Sequence, residues 1–221
     1  TFQIYDWMGD VKTFPDWKMV QHIIIVPTYK EPIATLTRTL EKLTEQTFPV
    51  KNIHIMLSFE DREGEPAREK AKELQNAYSE SFGHLWVTYH PDLPGEVKGK
   101  SSNTSWGAKE AKRLLVDQEG VNIDYVTITS EDADALLHPS YFACLSYHFL
   151  DNPARYTTIW QAILMFYNNI WKVPLLVRVF SSSATVMNLA IVTRRDRLIN
   201  FSTYTASLKM IDAIGYWDVD V

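Results

Sequence analysis

Cysteine is nearly absent: Cys144 is the sole thiol in 221 residues. An intramolecular disulfide and a multi-cysteine metal site are both excluded, so nothing in the sequence demands an oxidising compartment. Long hydrophobic runs are missing as well. A bilayer span needs about 18 consecutive apolar residues, and the nearest stretch, 157–192, is broken by Lys172, Pro174 and Arg178. There is no basic excess, since 22 Lys and Arg stand against 27 Asp and Glu, a net charge of −5. Proteins dedicated to nucleic acid carry positive charge to neutralise phosphates, so no nucleic-acid partner is expected. Repeats and low-complexity tracts are lacking, and no two of the six histidines fall at a metal-ligand spacing such as HxxxH. No signal peptide is visible, the first residue is Thr1, and the sequence stops at Val221 without a tail. The expectation is an excised piece of a longer protein, with part of its active site elsewhere.

What is present is an alternation of short β-branched runs with helical patterns. Residues 1–21 hold Trp7, Phe14, Pro15 and Trp17 without a period and read as a lead-in that packs on the domain. His22 to Val26 reads as a strand buried on both faces. Pro32 then suits a first helical turn, and Ile33, Leu36, Leu40 and Leu43 recur at helical spacing. Ile53 to Leu57 is a second strand, and Glu65 to Tyr78 a charged surface helix with Ala67, Ala71 and Leu74 on one face. Leu85 to Tyr89 makes a third strand. Ser102 or Asn103 can cap a helix running to about Val116. Tyr125 to Thr129 is a fourth strand, and Pro139 opens a helix through Leu150. The bulky apolar stretch from Trp160 to Phe180 reads as a core helix plus a strand; the alternative is a helical flap over a site or near a membrane surface. A last helix spans about Ala206 to Ile214, with Gly215 as its C-cap. Cys144 is expected to be a small buried apolar residue, and the Asn-x-Ser/Thr matches at Asn103 and Asn200 to be chance. The order βαβαβ implies a parallel sheet with helices on both faces. In such sheets ligands bind beyond the carboxyl ends of the strands.

The segments at those ends carry the chemistry. After the first strand comes Pro27-Thr28-Tyr29-Lys30-Glu31-Pro32, where Pro27 ends the strand, Tyr29 can stack on a base or ribose and Glu31 can accept from a hydroxyl. After the second comes Glu60-Asp61, where an acid can accept an N–H of a nucleobase. After the fourth comes Glu131-Asp132-Ala133-Asp134. Carboxylates at i and i+2 converge on one hard cation when the backbone turns, and Mg²⁺ or Mn²⁺ takes one or two carboxylates plus substrate phosphates. The run Gly95 to Asn103 is not a P-loop, which needs four residues between its glycines where three stand here. It still offers Lys100 at a helix start, which favours an anion.

Taken in order, these segments resemble family 2 glycosyltransferases of the GT-A fold, including the cellulose-synthase-like branch, over about residues 22–221. The resemblance implies a Rossmann-like α/β domain, with a mixed, mostly parallel sheet flanked by helices. It implies that Pro27, Thr28, Tyr29 and Glu31 line the nucleoside pocket and that Glu60 or Asp61 contacts the base. Lys100 and Asn103 would lie near the diphosphate or sugar. Asp132 and Asp134 match the DxD motif, with Asp132 also reaching the donor. The implied reaction is an inverting, metal-dependent transfer from a nucleotide-diphosphate sugar, UDP-sugar favoured, to a saccharide or lipid-linked acceptor. Its catalytic base follows a Gly-aromatic turn such as Gly215-Tyr216-Trp217 and is expected beyond Val221, with Asp220 as the fallback. The domain is then truncated at its C-terminal end. Transmembrane helices would lie elsewhere in the parent chain, which the resemblance sets at the cytoplasmic face of a membrane. Two rival readings are a sugar-phosphate nucleotidyltransferase and a donor-binding module that lacks its base.

Overall fold

The computed structural model describes residues 5–163, 165–166, 170–192 and 203–220. Among these, β1 (Gln21–Thr28), β2 (Ile53–Glu60), β3 (His84–His90), β4 (Val126–Ser130), β5 (Ile159–Trp160) and β6 (Tyr204–Ser207) form one sheet in the order β3-β2-β1-β4-β6-β5. The first four strands are mutually parallel where they pair; β6 runs antiparallel to β4 and β5 antiparallel to β6. β2 is buried at every position and β1 nearly so, which is why their sequences are continuous apolar runs and not alternations.

Helices cover both faces. One layer holds α1 (Trp7–Val11), α2 (Ile33–Thr44), α3 (Glu65–Tyr78) and α5 (Tyr141–Asp151), whose Val11, Leu36, Leu40, Ala71, Phe142 and Phe149 pack on Ile24, Val26 and Ile55. The opposite layer holds α4 (Lys100–Lys112) and α7 (Leu208–Ala213), with Ala108, Ala111, Leu208 and Ile211 against Ile23, Ile25 and Ile128. The lead-in does pack on the domain. Asp6 caps α1 by accepting from Gly9 N–H at 2.9 Å, and the Trp7 ring lies 5.7 Å from Tyr147. Between the sheet and α5, His22 is fully buried and bonded at both nitrogens, to Thr127 Oγ1 at 2.6 Å and Ser146 Oγ at 2.8 Å. Burial pushes its pKa down to about 3, so the ring is neutral and structural.

Several expectations are corrected. β1 runs through Pro27 and does not stop there. Its ladder to β4 ends at Ile25, whose carbonyl accepts from Glu131 N–H at 3.0 Å. Pro27 lies beyond that ladder, so its missing N–H removes no sheet bond. Neither Ser102 nor Asn103 caps α4; the helix starts at Lys100 with Gly99 as N-cap and no capping side chain, and beyond Lys112 it loosens into a π-helical segment, Arg113–Gln118. The expected helix at 206–214 is two elements, because Tyr204–Ser207 are drawn into the sheet by β4 and only Leu208–Ala213 are helical. Gly215 does cap it: at φ 82° it forms a Schellman turn, with Tyr216 N–H on Ile211 O at 2.9 Å and Gly215 N–H on Asp212 O at 3.2 Å. Cys144 is only half-buried. The apolar stretch after Trp160 is not core: beyond β5 its main element is α6 (Leu175–Val192), whose apolar side chains face outward. Asn103 is buried, and Asn200 lies outside the described residues.

The approach of α4 to the sheet depends on Gly107. A Cβ there would stand 2.9 Å from Ser58 Oγ and 3.1 Å from Ile25 Cγ2. Gly107→Ala is therefore expected to destabilise the domain by about 1–3 kcal/mol through overpacking, despite alanine's better helix propensity. Urea unfolding checks this, and equal stability would show that the contact relaxes freely.

Candidate functional site

The sheet's connections diverge at β1, with β2 on one side and β4 on the other. A crevice opens at such a point, outside the carboxyl ends of the strands. Here it is a cleft of about 230 Å³ lined by Pro27, Thr28, Tyr29, Glu31, Glu60, Lys100, Asn103, Asp132, Ala133 and Asp134. Four segments far apart in sequence meet there. Of the acids expected after β2, Glu60 lines the cleft and Asp61 does not; Asp61 is exposed and bonded to Arg68 at 2.6 Å. Asp220 is also outside the cleft. It lies on an exposed tail whose Val219 carbonyl accepts from Val97 N–H at 2.8 Å and whose Asp218 carbonyl accepts from Ser101 Oγ.

The loop after β1 is held in an unusual conformation. Lys30 is at φ 58°, a left-handed setting that costs a non-glycine residue roughly 1–2 kcal/mol. Its N–H donates to Glu63 Oε2 at 2.9 Å. Glu63 is ion-paired with Lys70, whose ammonium also donates to the Glu31 carbonyl at 2.8 Å. Tyr29 is presented outward with the Arg62 guanidinium 4.1 Å from its ring centre, a cation–π stack. Arg62 in turn ion-pairs the buried Glu60. Sequence reasoning singled out Glu60 and Asp61 here and gave Arg62 and Glu63 no role. The available signal was their position directly after a buried strand.

Across the cleft, Lys100 ion-pairs Asp132. The turn that carries Asp132 and Asp134 is fixed by its backbone: Ala135 N–H donates to Asp132 O at 2.9 Å, and Thr39 Oγ1 to Ala133 O at 2.7 Å. Asp132 is half-buried and Asp134 exposed at the rim. Asn103 lines the cleft, yet its amide is committed to β2, donating to Ser58 O at 2.8 Å and accepting from Ser58 Oγ at 2.7 Å. Glu131, also missed, is fully buried, and neither carboxylate oxygen has a hydrogen-bond partner among the described residues. Desolvation foremost, then the neighbouring Asp132 charge, raises its pKa well above the usual carboxylate range, with Lys100 opposing. Among the described residues, no three His, Cys, Asp or Glu side chains converge closely enough to cage a metal ion.

No family model matches the sequence, and no curated protein does. Among solved structures, the chain is similar to a mannosyltransferase from Pyrobaculum calidifontis in complex with GDP-Man and Mn²⁺, with a TM-score of 0.60 and 13% identity. The match covers 97% of this chain and 57% of that one, so this chain spans little more than half the length of the enzyme it matches. At that identity the likeness shows the fold alone: a mixed α/β, Rossmann-like fold with a mostly parallel sheet, like that of the mannosyltransferase.

Asn103→Ala is expected to cost about 1–3 kcal/mol of stability, because it removes both side-chain hydrogen bonds to the buried Ser58 and leaves the Ser58 hydroxyl only the Asn103 backbone carbonyl at 3.0 Å; thermal or urea unfolding reads this without any ligand. Glu131→Gln tests the buried carboxyl through pH. A carboxyl whose folded pKa is raised contributes fully below the unfolded value, near 4.5, and loses that contribution as pH rises toward the folded value. Over that window the wild type loses about 1.4 kcal/mol per pH unit relative to a residue that does not titrate. The variant should therefore gain on the wild type in urea melts as pH rises above the unfolded value. A constant difference would mean that Glu131 ionises normally.

Proposed function

We propose that the cleft binds a nucleotide-diphosphate sugar, UDP-sugar favoured, and that the chain is the donor-binding catalytic domain of a family 2 glycosyltransferase. One observation carries this reading. Segments 27–31, 60, 100–103 and 132–134, each a weak signal alone, line one cleft at the diverging strands of a glycosyltransferase-like fold. Tyr29, stiffened by Arg62, offers a face to the base or ribose, and Glu60 offers an acceptor at the cleft floor. Lys100 and the first turn of α4 favour negative charge, which suits a diphosphate. Asn103 shapes the wall and holds α4 on β2, and does not reach out as a free ligand.

A divalent ion, Mg²⁺ or Mn²⁺, is part of this proposal, and the residues fit it. Their donors are hard oxygens, and Asp132 already receives a cation in the Lys100 ammonium. Asp132 and Asp134 would hold the ion, with substrate phosphates and water completing its shell, as two carboxylates without a third protein ligand require. Bound there, it would supply charge stabilisation to the departing nucleoside diphosphate. Lys100 would then turn from Asp132 to the phosphates. We assign an inverting transfer to a saccharide or lipid-linked acceptor, in a membrane-associated parent with this domain at the cytoplasmic face. No described helix is long and apolar enough to cross a membrane. Asp220's place outside the cleft favours one rival, a module that binds donor without a base; donor binding without transfer would mark it.

Calorimetry with UDP and Mn²⁺ is the direct test. Binding that needs the metal and falls at least about tenfold in Asp134→Ala is the expected outcome, as for loss of one of two ionised ligands. Wild type without binding, or a variant that binds equally, would sink the site.

A further inference from the structure

A histidine pair lies at the amino ends of β2 and β3, the opposite edge of the sheet from the cleft. His54 and His84 are partners in register, and their Nδ1 atoms are 3.0 Å apart. Both outer nitrogens are committed. His54 Nε2 meets Gln21 Oε1 at 2.9 Å, and His84 Nε2 faces Glu119 Oε1 at 3.4 Å. A carboxylate and an amide oxygen only accept, so each Nε2 carries its ring's proton. A neutral ring then keeps a lone pair at Nδ1, and two lone pairs face each other across the gap. Such a gap holds together only around a cation.

The cation is a proton or a metal ion. A proton is disfavoured on His54, which is 4% exposed: desolvation first, then the neighbouring His84, pushes its pKa down to about 3. A proton on His84 is the rival occupant. The distance favours a metal. Nitrogens about 2.1 Å from an ion stand about 3.0 Å apart when they meet it at a right angle, and about 3.4 Å apart at a tetrahedral angle. Right angles between nitrogen ligands belong to tetragonal Cu²⁺ or Ni²⁺, not to four-coordinate Zn²⁺. An oxygen acceptor on the far nitrogen is also what fixes the tautomer and orientation of a ligating imidazole. The surroundings hold the pair in place. Trp86 stacks on His84 at 4.7 Å and on His54 at 5.6 Å. Glu119 is delivered by the π-helical segment Arg113–Gln118, with its N–H on Leu114 O at 3.2 Å, and such turns recur at functional sites. Gly83 leaves one side of His54 free of any side chain, where a Cβ would stand 2.7 Å from Nδ1. The His84 side chain is 38% exposed, which admits an ion and its waters. Water has to complete the shell, since no three His, Cys, Asp or Glu side chains able to hold an ion meet among the described residues.

We propose that His54 and His84 form a two-imidazole site for a tetragonal divalent ion, Cu²⁺ or Ni²⁺, bound through both Nδ1 atoms. The site is separate from the cleft and does not rest on the donor reading. The test titrates the untagged 221-residue chain with Cu²⁺ alone, followed by calorimetry and electron paramagnetic resonance. The expected result is one equivalent bound, with two imidazole nitrogens in the spectrum. Glu119→Ala should weaken binding about tenfold, the usual cost of removing an outer partner, and His84→Asn, which removes a ligand, by more. Both side chains are partly exposed, and circular dichroism of each variant should match the wild type. Absence of a stoichiometric site, a spectrum without two imidazole nitrogens, or undiminished affinity in Glu119→Ala and His84→Asn overturns the proposal. So does tighter binding of Zn²⁺ than of Ni²⁺. So does nitrogen NMR that finds a proton between the two Nδ1 atoms whose signal excess Cu²⁺ neither shifts nor broadens. Asp134→Ala should bind Cu²⁺ at the imidazoles as the wild type does, so failure of the donor site and failure of this one are read separately.

Discussion

Four carboxylates, Glu31, Glu60, Asp132 and Asp134, line one cleft at the carboxyl edge of the sheet, and their mutual repulsion has to be offset for the fold to close. Cations meet two of these acids, one beyond β2 and one beyond β4. Arg62 answers Glu60 beyond β2, and Lys100 answers Asp132 between α4 and β4. Lys70 and Glu63 brace the loop after β1 from behind. The result is a cleft whose acids are poised but not collapsed together. In the donor-binding reading proposed above, such a site would take a ligand that brings both phosphates and a compensating ion.

Rigidity around the cleft is unevenly distributed, and the distribution follows the physics of burial. Its floor is stiff. Gly107 lets α4 settle on Ser58, and Asn103 then stitches the helix to β2 through both ends of its amide. The β4 side is tied through Thr129, Thr205 and Tyr141, whose hydroxyls lie 2.8 and 2.9 Å apart in turn. Glu131 departs from this economy of satisfied groups. It is a carboxyl buried beside the cleft with no hydrogen-bond partner among the described residues, and desolvation raises its pKa well above the usual carboxylate range. At the other extreme, α6 stands outside the two helical layers, with its polar face inward and its apolar face to solvent.

Much of the sheet was legible because its signals are local. The β-branched runs at 22–26 and 53–57 fall within β1 and β2, and the helix at 65–78 coincides with α3, since a buried parallel strand and an amphipathic helix each write a characteristic period. The misreadings share one cause. Tyr204–Ser207 are too few to show alternation and become a strand only because β4 offers an antiparallel edge. Periodicity in 175–192 reveals that the helix has two faces, but not that the polar one turns inward. Pro27 was taken as a stop, although a proline ends a strand only where its N–H would have met a partner.

The sequence by itself therefore determined the order of the first four strands, the helices that follow them and the chemistry available at their ends, because composition and period act within a few residues. Only the tertiary structure decided which of those ends share a cleft. It brought in Glu60 and left out Asp61 and Asp220, turned Asn103 to structural duty, and exposed the apolar face of α6. Convergence depends on strand order and on close approach of layers, and these are set by long-range packing that no local pattern encodes.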